Sequence, residues 1–471
     1  MRTSFAIVLM ILLSPTIGLS TYGEPDLNDD EISKRIEQME NKVVSPRYDK
    51  IVRSYIRTYT ILDREKAERI LGHQIMYFPI FEAYLRKYQL PEDLKYLPVV
   101  ESGLQPKALS RAGARGLWQF MPPTGAYFGL TINENLDERC DPHAATEAAM
   151  KYLSHLYNRF DNWELAIAAY NSGGGRVSRA IKRARSTNFW TVKNYLPRET
   201  ANYVPAFIAA SYLMHYYEAH NLEPQYPSLD AQLTDRIKVH RRLTFYEIAQ
   251  VTGLPLNLIE HLNPAYEKLY IPANGEGLPL VLPKRKMPDL TAYLRRLDQD
   301  DRYRAQIQAQ PVFESRPQDE LDRAYVPMRY TLAPGQTLGQ LAVSLDCTTQ
   351  QLLIWNKLTP QEVRPGMEVI AYRPVEEKIA QERAGFWAAE PLDLRTLHTV
   401  DHRATNIYEE KINRFLTQGE WLFFWVEERM TVGELALLLP GISAADLLTF
   451  NALPSTLSIL KPDDKIKIKR R

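Results

Sequence analysis

Cysteine is scarce in this chain, and neither sign of charge dominates. Cys140 and Cys347 are the two cysteines among 471 residues, and they form neither a Cys-x-x-Cys pair nor a zinc-finger spacing. His215 and His220 lack the i, i+4 spacing of zinc-binding helices. Lys and Arg total 58 and Asp and Glu total 57, so the chain has no overall attraction to nucleic acid. We predict no metal, no cofactor and no nucleic-acid partner.

Long hydrophobic runs are equally scarce, and the most apolar one lies near the N-terminus. Residues 5–13 form this run, which follows Arg2 and precedes the small residues Gly18 and Ser20. This order is typical of a secretory signal peptide, placed at residues 1–20, and the run is shorter than a membrane-spanning helix. An uncleaved anchor is the alternative, so membrane association stays open. No nearby cysteine offers an acyl-lipid anchor, and we expect export to the periplasm or cell envelope.

Three separated polar motifs follow further along the chain. They are the pair Glu101-Ser102, the block 116–122 and the block 169–173. A carboxylic acid near hydroxyl, amide and aromatic side chains, without a Cys or Ser nucleophile motif, favours acid/base chemistry on a sugar chain. Pro91 and the two acidic residues after it predict the start of a helix. That helix would end near Glu101.

The three motifs resemble those of the bacterial lytic transglycosylases, whose catalytic domain shares its fold with g-type lysozymes. In that family a Glu-Ser pair, a Gly-Leu-x-Gln block and an Ala-Tyr-Asn block occur in the same order. The resemblance covers roughly residues 79–217 and implies an α-rich lysozyme-like catalytic domain in a multidomain chain. It also implies cleavage of the β-1,4 bond between N-acetylmuramic acid and N-acetylglucosamine in peptidoglycan, leaving 1,6-anhydromuramic acid ends. The implied catalytic residue is Glu101, and the implied substrate-binding residues are Ser110, Gln119, Met121, Tyr170, Asn171 and Tyr203.

A second catalytic carboxylate is missing from the matched motifs. Sugar hydrolases usually use two carboxyl groups, whereas here only Glu101 qualifies. We hypothesise that the substrate's N-acetyl carbonyl and C6 hydroxyl act as nucleophiles, while Glu101 donates and then accepts a proton. Burial would have to keep this carboxyl protonated near neutral pH. Two alternatives stay open: a hydrolytic muramidase that positions water with Glu134, Asp137 or Asp141, and a non-enzymatic peptidoglycan-binding scaffold.

The second half of the chain carries an internal repeat. Thr337 is followed by Ala342 five residues later and by Asn356 fourteen residues after that, and similar series begin at Thr244 and Thr431. A repeated spacing of this kind indicates repeated structural units. The copies resemble LysM modules. The resemblance implies small α+β domains of βααβ order that bind N-acetylglucosamine-containing chains.

The middle copy matches the LysM pattern best, because it alone has the Pro-Gly-Gln-Thr-Leu turn, at residues 334–338. The outer two copies are predicted to be degenerate modules. The whole chain is then predicted to contain a helical lead-in or spacer at 24–78, the catalytic domain at 79–222, modules at 236–285, 327–374 and 421–470, and connectors at 286–326 and 375–420.

Overall fold

The structure is a computed structural model that describes residues 27–299, 312–375 and parts of 415–470. The predicted signal peptide and most of the 375–420 connector lie outside the described residues. The chain divides into two compact units. The first comprises the chain up to Pro227 together with Asn263–Lys268, and the second comprises Ser228–Leu262 and the chain from Leu269 onward. None of the helices in the described ranges is long and apolar enough to cross a bilayer.

The described part of the first unit consists mainly of helices. A π-helical turn lies at Thr58–Leu62, and 3-10 turns lie at Glu92–Tyr96, Lys193–Tyr195 and Glu218–His220. The α-helices are Asp29–Gln38 (α1), Lys50–Arg57 (α2), Arg64–Lys87 (α3), Leu97–Ser102 (α4), Pro122–Tyr127 (α5), Pro142–Phe160 (α6), Trp163–Ser172 (α7), Gly174–Ala184 (α8), Phe189–Val192 (α9) and Arg198–Tyr216 (α10).

Local sequence explains where α6 begins and which face it buries. Asp141 precedes the helix, and its carboxylate accepts hydrogen bonds from two backbone amides of the first turn, which otherwise lack partners. Pro142 occupies the first position, where a missing N–H costs nothing. Ala145, Ala149 and Leu153 recur every four residues and are fully buried. The helix therefore packs along the stripe that its sequence spacing predicts.

The core of the first unit surrounds Trp118, which is completely buried. Its ring packs edge-on against Phe81 of α3, with 5.2 Å between the ring centroids. The indole N–H donates to the hydroxyl of Thr146 in α6 at 2.9 Å, as a buried indole requires. Ile32 of α1 and Val52 of α2 belong to the same core. The described part of the 24–78 segment is thus packed with the helices that carry the polar motifs.

The described part of the second unit contains three small strand-and-helix modules. In the first, Thr234–Val239 (β1) pairs with Leu278–Pro283 (β4) in antiparallel fashion, as Tyr325–Thr331 (β5) does with Glu368–Pro374 (β6) in the middle module and Trp421–Trp425 (β8) with Lys465–Arg470 (β11) in the third. The strands are Thr234–Val239 (β1), Leu243–Thr244 (β2), Tyr270–Ile271 (β3), Leu278–Pro283 (β4), Tyr325–Thr331 (β5), Glu368–Pro374 (β6), Phe415–Gln418 (β7), Trp421–Trp425 (β8), Met430–Thr431 (β9), Ile459–Leu460 (β10) and Lys465–Arg470 (β11). The α-helices are Leu229–Gln232, Phe245–Thr252, Leu256–Leu262, Met287–Gln299, Gln318–Asp322, Leu338–Ser344, Thr349–Trp355 and Ala444–Asn451, with 3-10 turns at Lys284–Lys286 and Pro360–Glu362.

The residues of the internal repeat have structural roles that recur. Thr337 begins a helix with a capping box, in which its hydroxyl and the side chain of Gln340 each accept a backbone amide of the other residue. Asn356 fastens that module's last strand, because its amide donates to the carbonyl of Ile370 at 2.8 Å and its oxygen accepts the amide of the same residue at 2.6 Å. Asn451 makes the same pair of bonds in the third module. The repeat thus encodes a helix cap and a strand clamp.

Candidate active site

Glu101 is the second-last residue of α4. The sequence predicts a helix from Pro91, and the structure begins this segment as a 3-10 turn that becomes α-helical at Leu97. Gly103 ends α4 with a φ of 60°, a left-handed conformation that glycine adopts without steric cost. Leu104 follows with a φ of 58°. The chain therefore turns sharply away just after Glu101, which leaves its side chain at a helix end.

The carboxyl of Glu101 has an unusually high pKa. Burial is the largest cause, and the negative charge of Glu199 raises the pKa further. The hydroxyl of Tyr203 donates a hydrogen bond to Glu101 Oε1 and lowers the pKa in part. The net effect raises it from 4.5 to about 8. Because a carboxyl with this pKa is mostly protonated at pH 7, Glu101 can donate a proton at neutral pH.

The Tyr170 side chain holds a loop of the site. Its hydroxyl donates to the carbonyl of Trp118 at 2.7 Å, and its ring lies 5.1 Å from that of Tyr152. Burial raises the pKa of both Tyr170 and Tyr203 well above 10. Both phenols therefore stay protonated and act as donors.

The segment from residue 108 to residue 120, which we call the 108–120 loop, lies against the end of α4. Ser102 Oγ donates to the carbonyl of Leu117 at 2.9 Å, so the second residue of the Glu-Ser pair links the helix to this loop. Gln119 has a φ of 49°, and its side-chain amide donates to the carbonyls of Ala108 and Gly116 at 3.1 and 2.9 Å. The loop is thus closed by its own side chain.

The other residues implied by the resemblance also have defined places. Ser110 Oγ accepts the amide of Ala114 at 2.9 Å, which shapes a turn of the 108–120 loop. Met121 immediately precedes α5 and is partly buried. Asn171 lies near the end of α7, is 5% exposed, and accepts the hydroxyl of Thr200 at 2.8 Å. Of the six implied substrate-binding residues, Tyr203 is the one whose hydrogen bond reaches Glu101 directly.

Asp137, one of the three candidate second carboxylates, is 2% exposed and bound by two arginines. Its oxygens accept from Arg139 at 2.9 and 2.6 Å and from Arg115 at 3.2 Å. Burial raises the pKa of Asp137, but its bonds and charge interactions with these arginines outweigh burial and lower it below 3.8. Asp141 caps α6, and Glu134 is exposed. Two of the three candidates are therefore held in the scaffold.

Glu199 and the arginines around Asp137 were missed as site residues by the sequence analysis. Glu199 had a signal in its spacing, because it precedes Tyr203 by four residues, and residues with this spacing share a face of a helix such as α10. Arg139 donates to the carbonyls of Gly113 and Phe120 at 2.8 and 3.1 Å, contacts that no sequence spacing reveals. Gly116 lies so close to Arg139 that an added Cβ would fall 1.7 Å from its carbonyl oxygen.

Cys140 and Cys347 are both free, and burial raises the pKa of each thiol to about 12. Neither thiol is therefore an activated nucleophile. Across the described ranges, no three His, Cys, Asp or Glu residues are grouped so that they could hold a metal ion.

Family models match three parts of the chain. Residues 78–193 match the transglycosylase SLT domain, residues 233–299 match the LysM-like domain of lytic transglycosylase MltD, and residues 330–371 match the LysM domain. The chain thus contains an SLT-type transglycosylase domain followed by LysM-type domains. The predicted multidomain fold class, α-rich and then βααβ, is confirmed.

Particular relatives fit the same class. The chain is 32% identical to membrane-bound lytic murein transglycosylase D of Escherichia coli K12 over 291 residues, which are 60% of this chain and 61% of that protein. It is 30% identical to the soluble lytic murein transglycosylase of the same strain over 109 residues, which are 22% of this chain and 17% of that one. The crystal structure of the 70 kDa soluble lytic transglycosylase of E. coli matches 30% of this chain and 24% of that chain, with 26% identity and a TM-score of 0.27. The predicted resemblance to lytic transglycosylases is confirmed, and the chain spans about 61% of the length of the first of these relatives.

Proposed function

We propose that this protein is a peptidoglycan lytic transglycosylase that cleaves the β-1,4 bond between N-acetylmuramic acid and N-acetylglucosamine without water. The observation that carries the proposal is Glu101, a carboxyl within the SLT domain whose pKa is raised to about 8. Relatives named lytic murein transglycosylases support the same reaction.

In the first step we assign Glu101 the role of general acid. Its proton passes to the glycosidic oxygen, the C1–O bond of the muramoyl residue breaks, and the N-acetylglucosamine fragment leaves with a C4 hydroxyl. The muramoyl N-acetyl carbonyl oxygen bonds to C1 on the opposite face, which gives an oxazolinium. The hydrogen bond from Tyr203 stabilises the carboxylate that remains.

In the second step the same carboxylate acts as general base. It takes the proton of the muramoyl C6 hydroxyl, whose oxygen bonds to C1 while the bond from C1 to the acetamido oxygen breaks. The product is a 1,6-anhydromuramoyl end, and Glu101 regains its proton. No second protein carboxylate is required, because the substrate supplies both nucleophiles.

Sugar contacts are assigned to the remaining residues implied by the resemblance. We propose that Ser110, Gln119, Tyr170 and Asn171 orient the acetamido group, with Met121 packing on the sugar. Their family positions support this assignment, and so does the attachment of the Gln119 and Tyr170 side chains to the 108–120 loop.

The hydrolytic and non-enzymatic alternatives find less support. A muramidase would need a carboxylate free to activate water, whereas two of the three candidates are engaged elsewhere, Asp137 with two arginines and Asp141 as the cap of α6. A pure scaffold would not need an acid with a raised pKa in this domain. Mass spectrometry of digested peptidoglycan tests the proposal, because an anhydro end is one water lighter than a reducing end. Reducing muramic ends as the main product would select hydrolysis instead.

We propose that N-acetylglucosamine-containing chains bind the LysM modules and that the middle module contributes most. This module spans the 330–371 match and has the full entry turn, while linked weak sites raise the effective concentration of an enzyme on its substrate. Deleting the middle module should reduce binding to insoluble peptidoglycan in a pull-down assay by about tenfold or more. A larger loss on deleting an outer module would reverse the ranking.

We also propose that the protein acts in the cell envelope, in the periplasm of a bacterium with two membranes. The murein-directed relatives and the predicted signal peptide at residues 1–20 support this location. Fractionation of cells expressing the full chain, with or without those residues, tests it. Retention of both forms in the cytoplasm would contradict the proposal.

A further inference from the structure

Six residues from the first LysM-like module belong to the first unit. They are Asn263–Lys268, which we call the return segment. The segment pairs with residues 135–137 through an antiparallel bridge between Leu136 and Tyr266. Both bridging residues are buried, at 5% and 4% exposure. The return segment is therefore part of the packed interior of the first unit.

Two backbone hydrogen bonds flank this bridge. The amide of Asp137 donates to the carbonyl of Ala265 at 2.8 Å, and the amide of Glu267 donates to the carbonyl of Asn135 at 3.1 Å. Buried backbone groups need such partners, because an unpaired one costs free energy. The return segment thus fixes the backbone at the residue whose side chain binds both arginines.

The side chain of Glu267 completes the charge balance of the cluster. Arg115 Nη1 lies 2.7 Å from Glu267 Oε1 and 3.2 Å from Asp137 Oδ2. Arg115 and Arg139 carry two positive charges, and Asp137 and Glu267 carry two negative ones. Asp137 alone would leave one positive charge unbalanced where the Arg115 side chain is only 20% exposed.

Arg115 connects this cluster to the site. Its backbone amide and carbonyl both pair with those of Phe120, at 3.1 Å each. Between these two residues lies Leu117, whose carbonyl accepts the hydroxyl of Ser102, the neighbour of Glu101. Any displacement of Arg115 would therefore move the part of the 108–120 loop that is bonded to Ser102, beside the Glu101 carboxyl.

We propose that Glu267 is a positioning residue, which acts through Arg115 on the 108–120 loop, and that the return segment completes the catalytic unit. The effect of Glu267 on catalysis rests on the proposed function, whereas the effect of Glu267 on the 108–120 loop does not. A residue within the first LysM-like domain would then tune the reaction of the SLT domain.

The test is Glu267→Gln in the full-length protein, which removes one charge and keeps the shape. We expect kcat on peptidoglycan to fall about threefold to tenfold with KM unchanged. We also expect the alkaline limb of the rate profile to move to lower pH, because a looser loop admits water to Glu101. Glu267→Asp, which keeps the charge, should restore part of the lost kcat and reverse part of the shift of the alkaline limb. Hydrogen exchange of residues 113–120 should be faster in Glu267→Gln than in wild type.

Glu276→Gln is the matched control, because Glu276 is an exposed acid of the same module outside the return segment. It should change neither kinetics nor exchange. Wild-type kcat, pH profile and loop exchange in Glu267→Gln would overturn the proposal, as would lower thermal stability with unchanged kcat and unchanged loop exchange. If wild-type protein fails to release anhydro ends, the proposed function fails, and the exchange experiment still decides whether Glu267 holds the loop.

Discussion

Two carboxyl groups of the first unit have pKa values that are shifted in opposite directions, although burial acts on both. Glu101 lies beside a tyrosine hydroxyl and near Glu199, and its pKa is raised to about 8. Asp137 lies between Arg139 and Arg115, and its pKa is lowered below 3.8. Burial raises the pKa in both places, and at Asp137 the hydrogen bonds and positive charges of the two arginines outweigh it.

This difference separates a chemical site from a supporting one. A buried carboxyl without a cation keeps its proton and can give it away, whereas one between two arginines stays ionised and holds other groups in place. Substitution of the first kind of carboxyl should lower activity and leave the protein stable. Substitution of the second kind should lower stability and affect activity only through the loop that its arginines hold.

The largest expected effect is on turnover by Glu101→Gln. The amide can neither donate nor accept the catalytic proton, and loss of a general acid/base typically costs on the order of 10²–10⁴-fold. Release of soluble muropeptides by purified protein measures this loss. Substantial activity in the folded variant would remove Glu101 from its proposed role.

The same variant has an expected signature in stability. A carboxyl whose pKa rises from 4.5 to about 8 on folding makes the native state bind more protons between these values, so its stabilising contribution is lost as pH rises through that window. The Glu101→Gln variant has no carboxyl at this position, so its unfolding free energy does not show this fall. Between pH 5 and pH 8, the unfolding free energy of wild type should fall relative to the variant by roughly 3 kcal/mol, at about 1.4 kcal/mol per pKa unit. Parallel stability profiles would mean that the pKa of Glu101 is ordinary.

The second expected effect is on stability, by Asp137→Asn. Removing the charge that binds Arg139 and Arg115 leaves Glu267 to balance only one of these two cations, at a cost of about 3 kcal/mol in unfolding free energy. Because the pKa of Asp137 is lowered, its contribution is present above 3.8 and is lost as pH falls through the folded pKa. Denaturant unfolding at pH 7 and at pH 3 should therefore show a smaller difference from wild type at the lower pH. Glu134→Gln, at an exposed acid, is the control that should leave stability unchanged.

A smaller effect is expected from Tyr203→Phe. The lost hydroxyl is the group that lowers the pKa of Glu101, so the pKa should rise and the alkaline limb of kcat/KM should move to higher pH. The rate at neutral pH should fall about threefold to tenfold, since the hydrogen bond also stabilises the carboxylate formed in the first step. A limb that moves to lower pH would contradict the assigned direction.

The smallest effect is expected from Glu199→Gln. The negative charge of Glu199 raises the pKa of Glu101, so its removal should move the alkaline limb to lower pH, opposite to Tyr203→Phe. The rate at pH 6 should change by less than about threefold, because Glu101 stays protonated there. Equal shifts of the same sign in both variants would indicate a general distortion rather than these two interactions.

Local features of the site and modules were predictable from the sequence. Pro91 and Gly103 begin and end the segment that carries Glu101, and Thr337 and Asn356 act within their own module, so short-range spacing is sufficient. Side-chain partners were not predictable when the chain brings them together from far apart.

Contacts between residues far apart in the sequence determine the side-chain hydrogen bonds that sequence spacing could not predict. Tyr203 and Glu101 are 102 residues apart, and their family positions predicted a shared site without the hydrogen bond. Tyr170 was expected to contact sugar, and its hydroxyl also fastens the carbonyl of Trp118. The sugar-binding roles and the domain limits, including the end of the catalytic domain at 222, stay predictions.

The return segment has a consequence for how the chain is made and how it can evolve. Synthesis runs from the N-terminus, so the partners of Arg115 and Asp137 in this segment are missing until residue 268 has been added. A recombination event that exchanges the C-terminal modules keeps the first unit whole when its junction follows residue 268. A junction at 228–262 would instead require the incoming chain to supply an equivalent of Glu267, so the C-terminal modules cannot be exchanged as freely as their repeated architecture suggests.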